Sequence, residues 1–207
     1  MRVLKKLLKT KKGIVGIEAA IVLIAFIIIA AALSYVVINM GFFATQKTKE
    51  TIASGMEEAT SAIQLDGSVI AKTEAGATNI SYLIIPVKLS VGKSAVDLGN
   101  NTVVVSVYLP DATLLNIYNG TSTATTWTTL IADVSGEEAK FAIFNGDSDT
   151  VIESTEKAFL AIHLGSGHEL VEYATMKIEV KTGTGAALTV VRTAPGGMTA
   201  DQFVDLG

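Results

Sequence analysis

The chain has 207 residues, with 16 basic and 20 acidic side chains, a formal net charge of −4, no cysteine and 49% hydrophobic residues. Without cysteine there are no disulfides and no thiolate metal site, so stability must come from packing. The acidic balance argues against a nucleic-acid partner.

Charge is unevenly placed. Residues 1–13 carry Arg2, Lys5, Lys6, Lys9, Lys11 and Lys12 and no acid. Such a flank beside an apolar helix stays on the cytoplasmic side while the rest of the chain crosses outward. Without those six bases the remainder carries ten basic against 20 acidic residues, a formal net charge of −10.

From Ile14 to Ala44 the only charged residue is Glu18. As a helix this run is about 46 Å long at ~1.5 Å per residue, longer than the roughly 20 residues a membrane crossing needs. Ile, Ala, Val and Leu surround it on every side, so all of its faces must be covered, by lipid or by other copies. Ala19, Ala20 and Ala30 to Ala32 would allow close helix approach. Ile52, Met56, Ala59 and Ile63 recur at helical spacing among Lys47, Lys49, Glu50, Glu57 and Glu58, so the reading is one helix over 14–63, amphipathic in its second part. Gly41 and Gly55 weaken it locally by up to about 1 kcal/mol each, and Gly67 closes the helical region. Glu18 is costly in hydrocarbon unless neutral, paired or interfacial. The alternatives are a role in assembly and a simple seat among the lipid headgroups.

The border Lys11-Lys12-Gly13, followed by Ile14-Val15-Gly16-Ile17-Glu18 and the apolar run, resembles the class III signal peptide of archaeal flagellins (archaellins) and type IV pilin-like proteins. Residues Gly16 to Phe26 and Asn39-Met40-Gly41-Phe42-Phe43 are most similar to crenarchaeal members. An ordinary secretory signal is cut after its apolar core and loses it. The resemblance implies the reverse: a prepilin/preflagellin peptidase recognises Lys11, Lys12 and Gly13, cuts between Gly13 and Ile14, and leaves the apolar segment on the product. Glu18 would then be the fifth residue, matching the glutamate that in type IV pilins meets the free N-terminal ammonium during assembly. A plain signal anchor is the alternative.

Residues 64–207 read as a β-rich head. Val103, Val105 and Val107 share one face of a strand, and Met176, Ile178 and Val180 alternate with Lys177, Glu179 and Lys181 in another. Further strands are expected at 80–90, 128–132, 140–144, 158–164 and 187–192, punctuated by Gly, Asn, Asp and Ser. The fold class is α+β: a long N-terminal hydrophobic helix, then an antiparallel β-sandwich of Ig-like type. Pro86 demotes its strand to an edge or a bulge, whereas Pro110 follows a strand. The stretch from Glu172 to Val180, leading through Leu188–Arg192 to Ala194-Pro195-Gly196-Gly197, resembles the end of the archaellin head. The middle of the head carries no resemblance.

No catalytic constellation is present. His163 and His168 make no metal pattern, and Gly165-Ser166-Gly167 and Thr182-Gly183-Thr184-Gly185 read as turns. Asp147-Ser148-Asp149 offers only part of a calcium loop, and a solvated turn is the simpler reading. No cofactor, metal or enzymatic activity is expected. Three Asn-x-Ser/Thr sequons, at Asn79, Asn100 and Asn119, are candidate N-glycosylation sites, with Asn119 in the clearest loop context.

The resemblance implies a self-assembling structural subunit of the archaeal flagellum, extracellular and membrane-inserted before assembly, with helices packed inside a homo-oligomeric helical filament and heads outside. A membrane platform and motor would turn it for swimming. An adhesive type IV pilus subunit is the first alternative, and a monomeric membrane-anchored binding module the second.

Overall fold

The computed structural model describes residues 2–60, 62–93, 95–147 and 149–207, with side chains from Gly16 onward. The chain forms two compact units, one reaching Ser54 and the other running from Gly55 to Gly207. The first is helix alone. α1 spans Arg2–Ala59 without a break, and from Gly16 to Ser54 every side chain is exposed.

α1 stops at Ala59, four residues short of the expected Ile63. Ile63 is instead 1% exposed and opens a strand, β1 (Ile63–Leu65). A helix leaves its last carbonyls without intrahelical donors, and here turns of the head supply them. Lys93 Nζ donates to Glu57 O at 2.5 Å, and Ala186 N to Thr60 O at 3.1 Å. Ser90 N then holds Ala62 O at 3.0 Å. Gly67 lies beyond β1 and takes no part in ending the helix.

The head continues with β2 (Ile70–Thr73), β3 (Ile80–Leu89), β4 (Val96–Asp97), β5 (Val104–Tyr108), β6 (Thr113–Leu114) and β7 (Tyr118–Ser122). A short helix, α2 (Trp127–Ala132), precedes β8 (Glu137–Phe144), β9 (Val151–Ile152) and β10 (Lys157–Leu164). Then follow β11 (Thr175–Lys181), β12 (Leu188–Thr193) and β13 (Phe203–Asp205). One sheet runs β13-β2-β3-β10-β8-β7 with β1 also on β3, a second runs β12-β11-β5-β6, and β4 pairs with β9. Pairing is antiparallel except for β7 on β8, which is parallel.

The two larger sheets share one core. Leu83, Ile85 and Val87 of β3, Leu160 and Ile162 of β10 and Phe141 of β8 join Val105 and Val107 of β5 and Ile178 and Val180 of β11. The alternation expected at Met176, Ile178 and Val180 holds, at 1% exposure or less.

Two expectations fail for local reasons. β3 is an interior strand despite Pro86, because its missing donor falls at a junction. One flank of β3 is paired by β2 up to Ile84 and by β1 from Val87. Pro86 sits between them and accepts only from Asp66 N, at 2.9 Å. Residues 128–132, expected as a strand, belong to α2. Thr126 caps it through a capping box with Thr129, which satisfies two orphan donors at once. Its apolar residues Trp127, Leu130 and Ile131, with Val134 just beyond its end, fall at helical i, i+3, i+4, i+7 spacing. Leu130 and Val134 pack with Ala142 and Ala161 on the outer face of the larger sheet.

Gly185 stands at φ +84°, and a Cβ there would meet Thr60 O at 2.4 Å. Gly185→Ala is therefore expected to destabilise the head by at least about 1 kcal/mol, read as a lower thermal midpoint of the detergent-solubilised chain. Gly183→Ala, with its nearest atom at 3.7 Å, is expected to leave the midpoint nearly unchanged.

Asp66 bridges Lys157 at 2.5 Å and Lys88 at 2.7 Å, and these ammonium groups, Lys157 first, hold its carboxyl below the usual 3.8. A depressed carboxyl stabilises the fold above its unfolded pKa and loses that effect as pH falls through the folded value. Asp66→Asn should lower the midpoint at neutral pH by no more than the modest amount of an accessible pair. The difference from the unsubstituted head should shrink as pH falls from the usual carboxylate range through the lowered folded value, checked by melts across pH.

Candidate assembly helix and surface sites

Between Ile17 and Phe43 the large apolar side chains of α1 are 51–74% exposed. One window of Gly16–Ala59 reaches a mean hydropathy of 3.1, long and apolar enough to cross a membrane. Covering one such side chain is worth about 1.5–3 kcal/mol, against about 0–1 kcal/mol for an exposed ion pair such as Lys47–Glu50. The favourable energy of this surface therefore lies in burying it, not in its few charges.

Its short hydroxyl side chains are satisfied inside the helix. Ser34 Oγ, Thr45 Oγ1 and Thr48 Oγ1 each donate to the carbonyl four residues back, at 2.8 Å. Such back-bonding lets a hydroxyl enter an apolar medium without an orphan donor. Gly16, Gly41 and Gly55 have open space where a Cβ would stand, so no contact among the described residues requires them.

Glu18 shares a helix face with Ala19, Val22, Leu23 and Phe26. It has no ion-pair partner among the described residues. The side chains of Lys11, Lys12, Gly13 and Ile14 lie outside the described residues, so the expected recognition and cleavage positions have only a helical backbone here.

The three sequons sit in unlike places. Asn100 is exposed in a turn, with Thr102 Oγ1 lying 2.8 Å from Gly99 O and 2.9 Å from Asp97 O. Asn79 is half-buried before β3, and the Ser81 hydroxyl of its sequon is 1% exposed. Asn119 is not in a loop. It lies in β7, with its side-chain amide donating to Glu138. Asn119-Gly120 carries the sequence signal of a turn, but Gly120 at φ +84° accommodates the irregular pairing of β7 with β8. The loop setting belongs to Asn100, which packs 3.5 Å from the Cβ position of Gly120.

The two histidines have separate structural partners. His163 stacks on Tyr82, with ring centroids 4.2 Å apart, and its Nδ1 lies 2.6 Å from Gly136 O. His168 Nδ1 lies 3.0 Å from Glu137 Oε1. Asp149 Oδ1 accepts from Val151 N at 2.8 Å, as in a turn, and Ser148 between the two aspartates lies outside the described residues.

The family model for archaeal-type flagellin matches residues 13–192. A probable flagellin 1 from Aeropyrum pernix is 44% identical over 97% of this chain and all of its own length. A probable flagellin 1 from Archaeoglobus fulgidus is 34% identical over 92% of this chain and 93% of its own. The solved archaeal flagellum of Methanospirillum hungatei strain JF1 aligns with a TM-score of 0.55 and 29% identity, covering 90% of this chain and 97% of that one. The archaeal flagellin FlaB1 of Methanocaldococcus jannaschii, at a TM-score of 0.59 and 15% identity, shares the fold over 70% of this chain and 95% of its own.

A charge in the middle of α1 tests whether its surface must be covered. Ile28→Asp places an acid where it costs about 2.5–3.5 kcal/mol in hydrocarbon. Filaments sheared from cells are expected to disappear, while the melting of the head, a separate compact unit, stays within about 0.5 kcal/mol of the parent.

Proposed function

This chain belongs to the archaeal-type flagellin family, a structural subunit of the archaeal flagellar filament, and from that premise we propose how it is processed and assembled. The observation that carries the reading is the apolar surface of α1, left uncovered by the chain and joined to a head closed around its own core.

The subunit is inserted into the membrane through α1, with its basic leader on the cytoplasmic side. A preflagellin peptidase recognises Lys11, Lys12 and Gly13 and cuts before Ile14. The helix from Ile14 then leaves lipid for the packed helices of other copies, an exchange of one apolar surrounding for another. Glu18, now near the new N-terminus, is steered by the free ammonium of a neighbouring copy and by the positive end of the helix dipole. The head from residue 64 onward forms the filament exterior, and the filament lies outside the cell. A membrane platform and motor turn it for swimming, and the subunit itself catalyses nothing. Asn100, exposed in its turn, is the best placed of the three sequons for a glycan, ahead of Asn119 and Asn79.

Glu18 fits an adhesive pilus subunit as well, but the matching relatives are flagellins, and they favour the filament for motility. The experiment is the intact mass and N-terminal sequence of the chain in sheared filaments. A chain beginning at Ile14 is expected, with excess mass on the Asn100 peptide. A chain beginning at Met1 and confined to membranes would overturn the processing. Glu18→Gln should leave membrane insertion intact and cut the yield of filaments about tenfold, equivalent to about 1.4 kcal/mol.

A further inference from the structure

The head has two ends, set apart by the length of β3, roughly 30 Å at ~3.3 Å per residue. The turn Ser90-Val91-Gly92-Lys93 follows the last residue of β3. The loop 165–174 stands at the other end, because Leu170 bridges Ile80, the first residue of β3. The turn after β5 stands there too, since Tyr108 pairs with Lys177 near the start of β11.

The first end carries an apolar knob. Val91 is 95% exposed, against 76% for Tyr173 and 66% for Leu115. Its turn is braced on both sides, by Ser90 N on Ala62 O and by Lys93 Nζ on Glu57 O, so the valine is held out in water by structure. The far end carries a socket. A cleft of about 100 Å³ opens between the two loops, with Leu109, Ala112, Leu170, Val171 and Ala174 as its apolar lining and Asp111, His168 and Glu169 as its charged or titratable lining. The Glu169 carboxyl accepts from Gly167 N at 3.0 Å, and this backbone bond keeps it below the usual carboxylate range, so it is anionic at neutral pH.

We propose that Val91 of one copy seats in the cleft between Leu109 and Val171 of the next, bringing Lys93 against Asp111 and Glu169. The proposal rests on the filament reading and names one of the contacts that the reading leaves open. The occupant is a second copy for two reasons. Knob and socket lie at opposite ends of one domain, so they cannot meet within a chain but repeat from copy to copy. Their charges also differ in sign, a lysine two residues from the knob and two carboxylates at the socket. A helical polymer is built from such heterologous contacts, whereas a two-fold contact would close after two copies.

The chain has no cysteine, so introduced thiols report cleanly. Filaments of the doubly substituted chain Val91→Cys, Val171→Cys, oxidised and run denatured without reductant, are expected to give a ladder of covalent oligomers, and each single substitution only monomers. Unsubstituted filaments provide the second readout: a carbodiimide should couple the Lys93 amine to the carboxylate of Asp111 or Glu169 as an amide. Given the separation of the two ends, that joined peptide must come from two copies. Sheared filaments that yield neither ladder nor joined peptide overturn this contact and leave the filament intact. Dimers from Val91→Cys alone overturn it in favour of a two-fold contact. If the unsubstituted chain gives no filaments at all, the underlying reading fails first.

Discussion

A helix that is apolar on every side has no orientation in which one neighbouring element can cover it. From Ile17 to Phe43 this is the state of α1, whose large apolar side chains are 51–74% exposed. Two surroundings can cover it: hydrocarbon, and more copies of the same helix. Both favour polar groups satisfied internally, as the unbroken helix and the back-bonded Ser34, Thr45 and Thr48 are. A segment fit for lipid is thus also fit for a filament interior.

The head meets the opposite requirement. It must be stable in water, without disulfides, and its two sheets close over a shared core that includes Phe141, Leu160 and Ile178. α2 adds a second, smaller layer where Leu130 and Val134 cover Ala142 and Ala161. The chain passes from helix to sheet between Ala59 and Ile63. Hydrogen bonds from Lys93, Ser90 and Ala186 fix that passage, and Gly185 leaves room for it. The last turn of the helix is therefore part of the head's structure, not a tether to it.

The helix was legible in the sequence because its signal is long and unbroken, and the same holds for β11, where Met176, Ile178 and Val180 alternate with charges. Its C-terminal limit was not, because tertiary donors decide it rather than Gly67. Pro86 misled because a proline argues against an interior strand only where a partner needs its N–H, and here two partners meet without one. The helix at 127–132 was visible in the spacing of Trp127, Leu130, Ile131 and Val134, but β-branched threonines between them favoured the strand reading. Asn119 shows the same limit: Asn-Gly signals a turn, yet an irregular parallel edge uses it as well. Strands of two or three residues, such as β4, β6 and β9, exist through pairing alone and leave no periodic trace. Of the assembly site, the apolar surface and Glu18 could be read directly, whereas knob and socket required the fold.

The two halves contribute differently to a polymer. Between Ile14 and Ala44 the helix is built from Ile, Ala, Val, Leu and a few others in no strict repeat. Sliding two such helices by one turn exchanges apolar contacts for similar ones, so they bind strongly but define register weakly. The head is the reverse. Residues 64–207 hold eight basic and 16 acidic side chains, a formal charge of −8, so neighbouring heads repel except where particular groups match. A contact that is small, directional and complementary in charge adds little to the strength of the lattice. It does penalise every slipped arrangement, since a shifted copy would set Val91 in water and carboxylate against carboxylate. On this proposal strength comes from the helices and register from the heads, so that the lattice is both held together and kept from slipping.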